Sequence, residues 1–256
     1  MAKKKILLFI VEGPTEESAL STVFSRIFSS DAVRFHVIHG DILTRDFVRP
    51  ERIAAIVNEQ IKAFRGDIYK PADFCKVVHL IDMDGAYIPD SSVIEEDAPD
   101  KTYPFYTGTQ ILAPSPRTII DRNKRKRDAI AKLSATGNIG GISYSLYYFS
   151  CNLDHVLHDR NNLNDTEKIQ LSRDFDLQYA GDPNTFIQFM KTEAFAVPGT
   201  YSETWAFIKQ TGFYSLKRHS NLHLELPDHC EWPLSNGRKS RACSHKVRCD
   251  KITEWN

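Results

Sequence analysis

Three acidic positions could carry chemistry. Glu12 follows the apolar run "ILLFIV", and Asp82 and Asp84 follow "CKVVHL" within "IDMDG". A carboxylate at the tip of a buried strand is costly unless it caps a helix or meets a cation. In "DMD" the two aspartates are two positions apart, so an extended backbone would point both the same way. Carboxylates gathered at one sheet edge repel one another, and a divalent ion would neutralise them. Hard oxygen donors of this kind suit Mg²⁺ or Mn²⁺. Alone, Glu12 reads as an acid near a helix start, and Asp82 to Gly85 as a turn. Their joint occurrence at matching positions favours a metal.

The elements that must position these acids can be read from periodicity. Residues 3–11 form a continuous apolar run, the pattern of a parallel strand buried on both faces. A helix follows, with Leu20, Val23, Phe24, Ile27 and Phe28 at helical spacing and Thr15 as its expected N-cap. Further strands are predicted at 33–38, 75–82 and 142–150, and an amphipathic helix at 50–64. Residues 88–115 read as a long excursion, and 116–135 as a basic helix. Helices are predicted at 153–158, 165–180, 183–192 and 202–211. Alternation of strand and helix implies an α/β fold with a parallel sheet. Ligands of such sheets bind outside the carboxyl ends of the strands, where Glu12, Asp82 and Asp84 fall.

"VEGPTEE" after the first strand and "IDMDG" after a later one resemble the two signatures of the Toprim domain. "YFSCNLDHVLHD" adds Ser150 and Asp154 in a strand-to-helix setting where relatives carry a glutamate. Among Toprim proteins the chain is most similar to the standalone OLD-like nucleases of the RloB and PARIS-effector type, over roughly residues 4 to 160. The resemblance implies a Rossmann-like Toprim catalytic domain at 1–160, with the excursion at 88–140, and a mostly helical extension at 161–256. It further implies a Mg²⁺- or Mn²⁺-dependent endonuclease, the toxic effector of an anti-phage defence system. Its controller would be a separate ABC-type ATPase, since this chain carries no ATPase motif: "GPTEES" lacks the G-K-S/T of a P-loop. A homodimer is expected on release, and tRNA or other RNA is slightly favoured over DNA. Asp82, Asp84 and Asp154 are the expected ligands, with Glu12 as ligand or general base. Glu16 could face the same cleft from the first helical turn, with Glu17 as its competitor. The resemblance also calls for a lysine near the scissile phosphate, and Lys217, beside Arg218 and a possible turn at Ser215, supplies the candidate.

Formal net charge is zero, so a nucleic acid would have to be met by a local patch. "RNKRKRD" is the densest basic run, and Arg122, Lys124, Arg125, Lys126 and Arg127, together with Arg218, are the expected nucleic-acid contacts. Five cysteines, an odd number, suggest reduced thiols and a cytoplasmic protein. No apolar run approaches the ~18 residues of a membrane span, and the first one is too short for a signal-peptide core. His229, Cys230, Cys243, His245 and Cys249 could ligate zinc, without the paired spacing of common zinc modules. Two other functions compete: a non-catalytic Toprim scaffold, and a glycosyltransferase using Asp82-x-Asp84, which leaves Glu12 unexplained.

Overall fold

The structure, a computed structural model, describes residues 4–29, 31–45, 49–96 and 104–230. Its first strand, β1 (Ile6–Val11), is buried at every position, because both faces of the sheet are covered. α1 (Pro14–Ile27) follows, then β2 (Ala32–Val37), α2 (Ile53–Arg65) and β3 (Phe74–Asp82). After an excursion come α3 (Pro116–Ser134), β7 (Asn138–Ile139) and β8 (Ile142–Phe149). The main sheet has the order β2-β1-β3-β8-β7, parallel except for the short β7–β8 hairpin. The fold is therefore α/β, with a mostly parallel sheet flanked by helices.

Alternation along β1 divides the core. Leu7, Phe9 and Val11 pack with Leu20, Val23 and Phe24 of α1. Ile6, Leu8 and Ile10 pack on the opposite face with Val57 and Ile61 of α2 and Ile130 and Leu133 of α3. Phe9 meets Phe24 and Phe35 at centroid distances of 4.7 and 5.2 Å. A buried aromatic of this kind is worth ~3–5 kcal/mol against alanine.

β1 connects outward to β2, and the chain then crosses back over β1 to reach β3. The direction of winding reverses between β1 and β3, which opens a crevice at their carboxyl ends. Glu12 and Asp82 flank that crevice.

Thr15 is not the cap of α1. Gly13 holds the cap position and Pro14 opens the helix, where its missing N–H costs nothing. The excursion is more ordered than its prolines suggest. It builds a small sheet from β4 (Val93–Glu95), β5 (Phe105–Tyr106) and β6 (Ile111–Ala113), in the order β4-β6-β5. Ile88, Val93, Tyr106 and Ile111 give this unit its own core, closed by Cys151 and Leu216.

α4 (Leu153–His158), α5 (Asp165–Ala180), α6 (Pro183–Met190) and α7 (Tyr201–Thr211) complete the described chain. Phe175, Phe186 and Met190 join the core of α1, whereas Trp205 and Ile208 join that of α2 and α3. Residues after 160 thus share both cores with the sheet. No described helix is long and apolar enough to cross a membrane.

Candidate active site

Glu12 leaves the end of β1 and its carboxylate leans across the crevice, where Oε1 accepts from the Asp82 amide at 3.3 Å. Asp82, the last residue of β3, turns its own carboxylate toward α4 and accepts from the Leu153 amide at 2.9 Å. Asp84 joins them by a different route from the extended one expected. The strand ends at Asp82, and Asp84 sits in a left-handed turn at φ 51°. Gly85 follows at φ 67°, and a Cβ there would lie 2.6 Å from Leu216 Cδ2. This turn, not strand alternation, aims Asp84 inward.

The turn is fastened by the Asp84 amide donating to the Cys151 carbonyl at 2.7 Å. Both loops are tied to the segment after α7: the Ser215 carbonyl accepts from Gly85 at 3.1 Å and from Cys151 at 2.8 Å. Ser150 is part of the same fastening, because its buried hydroxyl donates to the Tyr214 carbonyl. Two residues past Asn152, the N-cap of α4, Asp154 is buried, with Lys168 at 3.8 Å. Glu16 is buried as well and Glu17 is exposed, so Glu16 is the acid that the first turn of α1 turns inward.

The basic helix, expected to meet phosphates, directs much of its charge to partners within the protein. Ile119, Asn123, Lys126, Ile130 and Leu133 recur at spacings of three and four and form the buried stripe of α3. Lys126 therefore points into the protein and is 0% exposed. Its Nζ lies 2.5 Å from Asp84 Oδ2, 2.9 Å from Asp41 Oδ2 and 3.9 Å from Glu12 Oε1. Arg122 donates to the Asp84 carbonyl at 2.7 Å and to the Tyr106 hydroxyl at 3.2 Å. Arg125 donates to the Thr44 carbonyl at 3.2 Å and Arg127 to the Ala86 carbonyl at 3.0 Å. Of the five, Lys124 alone is exposed. Helical geometry turned most of this charge inward. Arg218 is also a scaffold group: it donates twice to the Val156 carbonyl, at 3.0 and 2.9 Å, and stacks over Phe195. Lys217 is exposed on the segment that Ser215 ties to the site.

Two further residues belong to the site and were not expected there. Asp41 follows β2 in "HGD", after His39 and Gly40 at φ 56° and 123°. Its position past the carboxyl end of a parallel strand is the signal that could have found it. Tyr106, from the excursion, donates to Asp84 Oδ1 at 2.9 Å and is itself held by Asn162. Nothing in the sequence near Tyr106 marks it.

Electrostatics divide the cluster. Burial opposes ionisation of Asp84, but Lys126 and Arg122 outweigh it and hold the carboxyl at about 2. Burial likewise opposes the ammonium of Lys126, yet Asp41, Asp84 and Glu12 push its pKa well above the ordinary lysine value. Burial and repulsion from Asp41 raise Glu12, although Lys126 acts against the shift. Asp82 is raised by burial and by Glu16 and Asp84. Burial brings Glu16 to about 7, and Asp154 contributes to the rise. Asp154 is raised by its own burial. One half of the cluster is neutralised internally, whereas Glu16, Asp82 and Asp154 are crowded carboxyls that a cation would relieve.

Among the described residues no three His, Cys, Asp or Glu side chains stand as a ready metal cage. Glu16, Asp82 and Asp154 are carboxylates, the donor type that hard divalent ions take, without the placement of a metal cage. His229 is exposed, and the Cys230 amide donates to Asn184 Oδ1 at 2.7 Å. Cys243, His245 and Cys249 lie outside the described residues. Comparison with protein-family models, curated proteins and solved structures finds no match to this chain.

Proposed function

We propose that this protein is a metal-dependent endonuclease of the Toprim type that cleaves phosphodiester bonds of nucleic acid. The observation that carries this reading is the meeting of Glu12, Asp82 and Asp84 at the reversal point of the sheet. Asp154 approaches them from the helix after β8. Glu12, Asp82 and Asp84 match the Toprim motifs in identity and order, and Asp154 stands where relatives carry a glutamate. Glu16, Asp82 and Asp154 would hold the ion, with Glu12 and Asp84 beside them. When bound, Mg²⁺ or Mn²⁺ would polarise a phosphoryl oxygen and lower the pKa of an attacking water. Glu12, bonded to the Asp82 amide, is placed to accept a proton from that water. Lys126 keeps a fixed positive charge beside Asp84 and offsets negative charge arriving with a phosphate. Lys217, on the segment closing the site, is the candidate for reaching the nucleic-acid backbone.

The resemblance supports a toxic effector in anti-phage defence, restrained by a separate ABC-type ATPase and dimeric on release. By the same resemblance, tRNA or other RNA is slightly favoured over DNA as the target. One observation favours a non-catalytic scaffold instead: Lys126 already neutralises half of the cluster.

The test is cleavage of end-labelled tRNA, other RNA and DNA by the purified protein. Mg²⁺ or Mn²⁺ should support cutting, and Ca²⁺, which takes more ligands at longer distances, should support binding with little turnover. Glu12→Ala and Asp82→Ala should abolish cutting. Intact substrates under every ion, together with full toxicity of Asp82→Ala in cells, would leave the scaffold standing.

A further inference from the structure

Asp82 and Asp84 both stand at the crevice, but the groups around them differ. The Asp82 carboxylate accepts from the Leu153 amide at 2.9 Å, and among the described residues no lysine or arginine forms an ion pair with it. Asp84 is tied at every polar group it has. Oδ1 accepts from the Tyr106 hydroxyl at 2.9 Å, Oδ2 from the Lys126 ammonium at 2.5 Å and the carbonyl from Arg122 at 2.7 Å. Its amide donates to the Cys151 carbonyl at 2.7 Å. These partners come from three separate stretches of chain: the excursion, α3 and the loop after β8. The Tyr106 hydroxyl also accepts from Arg122 at 3.2 Å, so one tyrosine, one arginine and one aspartate close a ring.

Tyr106 is gripped from its main chain as well. Its amide donates to Asn162 Oδ1 at 2.8 Å, and its carbonyl accepts from Asn162 at 2.7 Å and from Asn161 at 3.2 Å. The Asn161 carbonyl accepts in turn from the Asn152 side chain at 3.0 Å. Asn152 is the N-cap of α4, the helix that carries Asp154. A continuous run of hydrogen bonds therefore leads from the turn at Asp84, through Tyr106, to the start of α4. β5 has only two residues and little stability of its own, so these side-chain bonds fix where Tyr106 stands. The charge of Asp84 is already met within the protein by Lys126, which is wholly buried.

We infer that the two aspartates of Asp82-Met83-Asp84 have different roles. Asp82 is free to touch a substrate, whereas Asp84 is a positioning residue that, through Tyr106, sets the helix of Asp154 against the end of β3. This inference departs from the expectation that both acids serve the chemistry alike, and it rests on the nuclease reading for the reaction in which Asp82 takes part.

The experiment reads the bracket and the reaction separately. Amide hydrogen exchange on the full chain reads the bracket. Tyr106→Phe and Asp84→Asn should each lower protection at residues 84, 106 and 155 together, and Asp82→Asn should leave Tyr106 as protected as in the wild type. Cleavage of end-labelled RNA and DNA reads the reaction. Tyr106→Phe should lower kcat by about tenfold with KM unchanged, a coupling of the size found within one hydrogen-bond network. Asp84→Asn should lower it further, because Lys126 is left without its closest partner, and adding Lys126→Met should restore about tenfold. The same Lys126→Met should restore nothing to Asp82→Asn. A folded double variant as slow as Asp84→Asn would place Asp84 on the substrate and overturn the inference. Unchanged protection of His155 in Tyr106→Phe would overturn it too, and decides the matter should the double variant fail to fold. A wild type that cuts no nucleic acid would sink the nuclease reading, and the exchange pattern alone would then support or overturn the bracket.

Discussion

Replacing Lys126 with methionine should destabilise the metal-free protein by about 3–5 kcal/mol, the usual cost of stripping one partner from a buried charge pair. At an effective dielectric near 20, each of the two close contacts, at 2.5 and 2.9 Å, has a gross attraction of roughly 6 kcal/mol. Desolvation of the ammonium and carboxylates cancels most of this. Methionine keeps the length of the stem and its packing, so the loss reports charge. In a chain of this size it amounts to a melting shift on the order of 10 °C. The gap should also depend on pH. Lys126 and Arg122 hold Asp84 at about 2, against 3.8 for an ordinary aspartate. A carboxyl with a depressed folded pKa adds stability above its unfolded value and loses it as pH falls through the folded one. The difference between wild type and variant should therefore be full above pH ~4 and shrink as pH falls toward ~2, by about 2 kcal/mol from Asp84. Urea unfolding of both proteins in chelator, at several pH values, measures it. Adding Asp84→Asn to Lys126→Met should recover part of the loss, a coupling visible in a double-mutant cycle. Equal stability of Lys126→Met and wild type at neutral pH, or strict additivity in the cycle, would refute the role of Lys126 as internal counter-ion.

Other outcomes follow from the same geometry. Asp82→Asn should leave the metal-free fold intact or more stable by on the order of 1 kcal/mol, and the gain should grow with pH. The sign follows from Asp82 being raised by burial and by Glu16: the wild type loses stability as pH rises through that value, and the amide does not. Melts in chelator check this, and a variant melting well below wild type would make the acid structural. Arg125→Ala and Arg127→Ala should each cost ~1 kcal/mol or more by losing a charged donor to a carbonyl, visible as a lower urea midpoint. Lys124→Ala, on the exposed face, should leave stability unchanged; any role in backbone contact would show as a shallower salt dependence of nucleic-acid binding.

The helices and the long strands were legible because their apolar spacing is strong. Ile6 to Val11 reads as a strand buried on both sides, and α4 and α5 span the predicted 153–158 and 165–180, with Asn152 and Asn164 as their N-caps. The acids were legible for a topological reason, since strand ends in a parallel sheet share one edge. What could not be read is what the tertiary fold brings in from a distance. Lys126 looked like one charge in a basic run, although Ile119, Asn123, Ile130 and Leu133 already mark its position as inward. Tyr106 reaches Asp84 from a strand of two residues, too short for any periodicity to register. The inward turn of Asp84 depends on a left-handed backbone that "DMDG" permits without requiring.

The carbonyl of Ser215 accepts from the loop bearing Asp84 and from the one leading to Asp154. That single oxygen sets an order of events during synthesis. The sheet strands and the acids leave the ribosome early, but the loops that aim them stay unfastened until residue 215 has emerged and Gly212 has made its turn at φ 72°. Chains arrested or clipped before that point carry every acid of the site and lack its clasp. A fragment of this kind would hold the acids without the clasp that aligns them, whatever chemistry the whole chain performs.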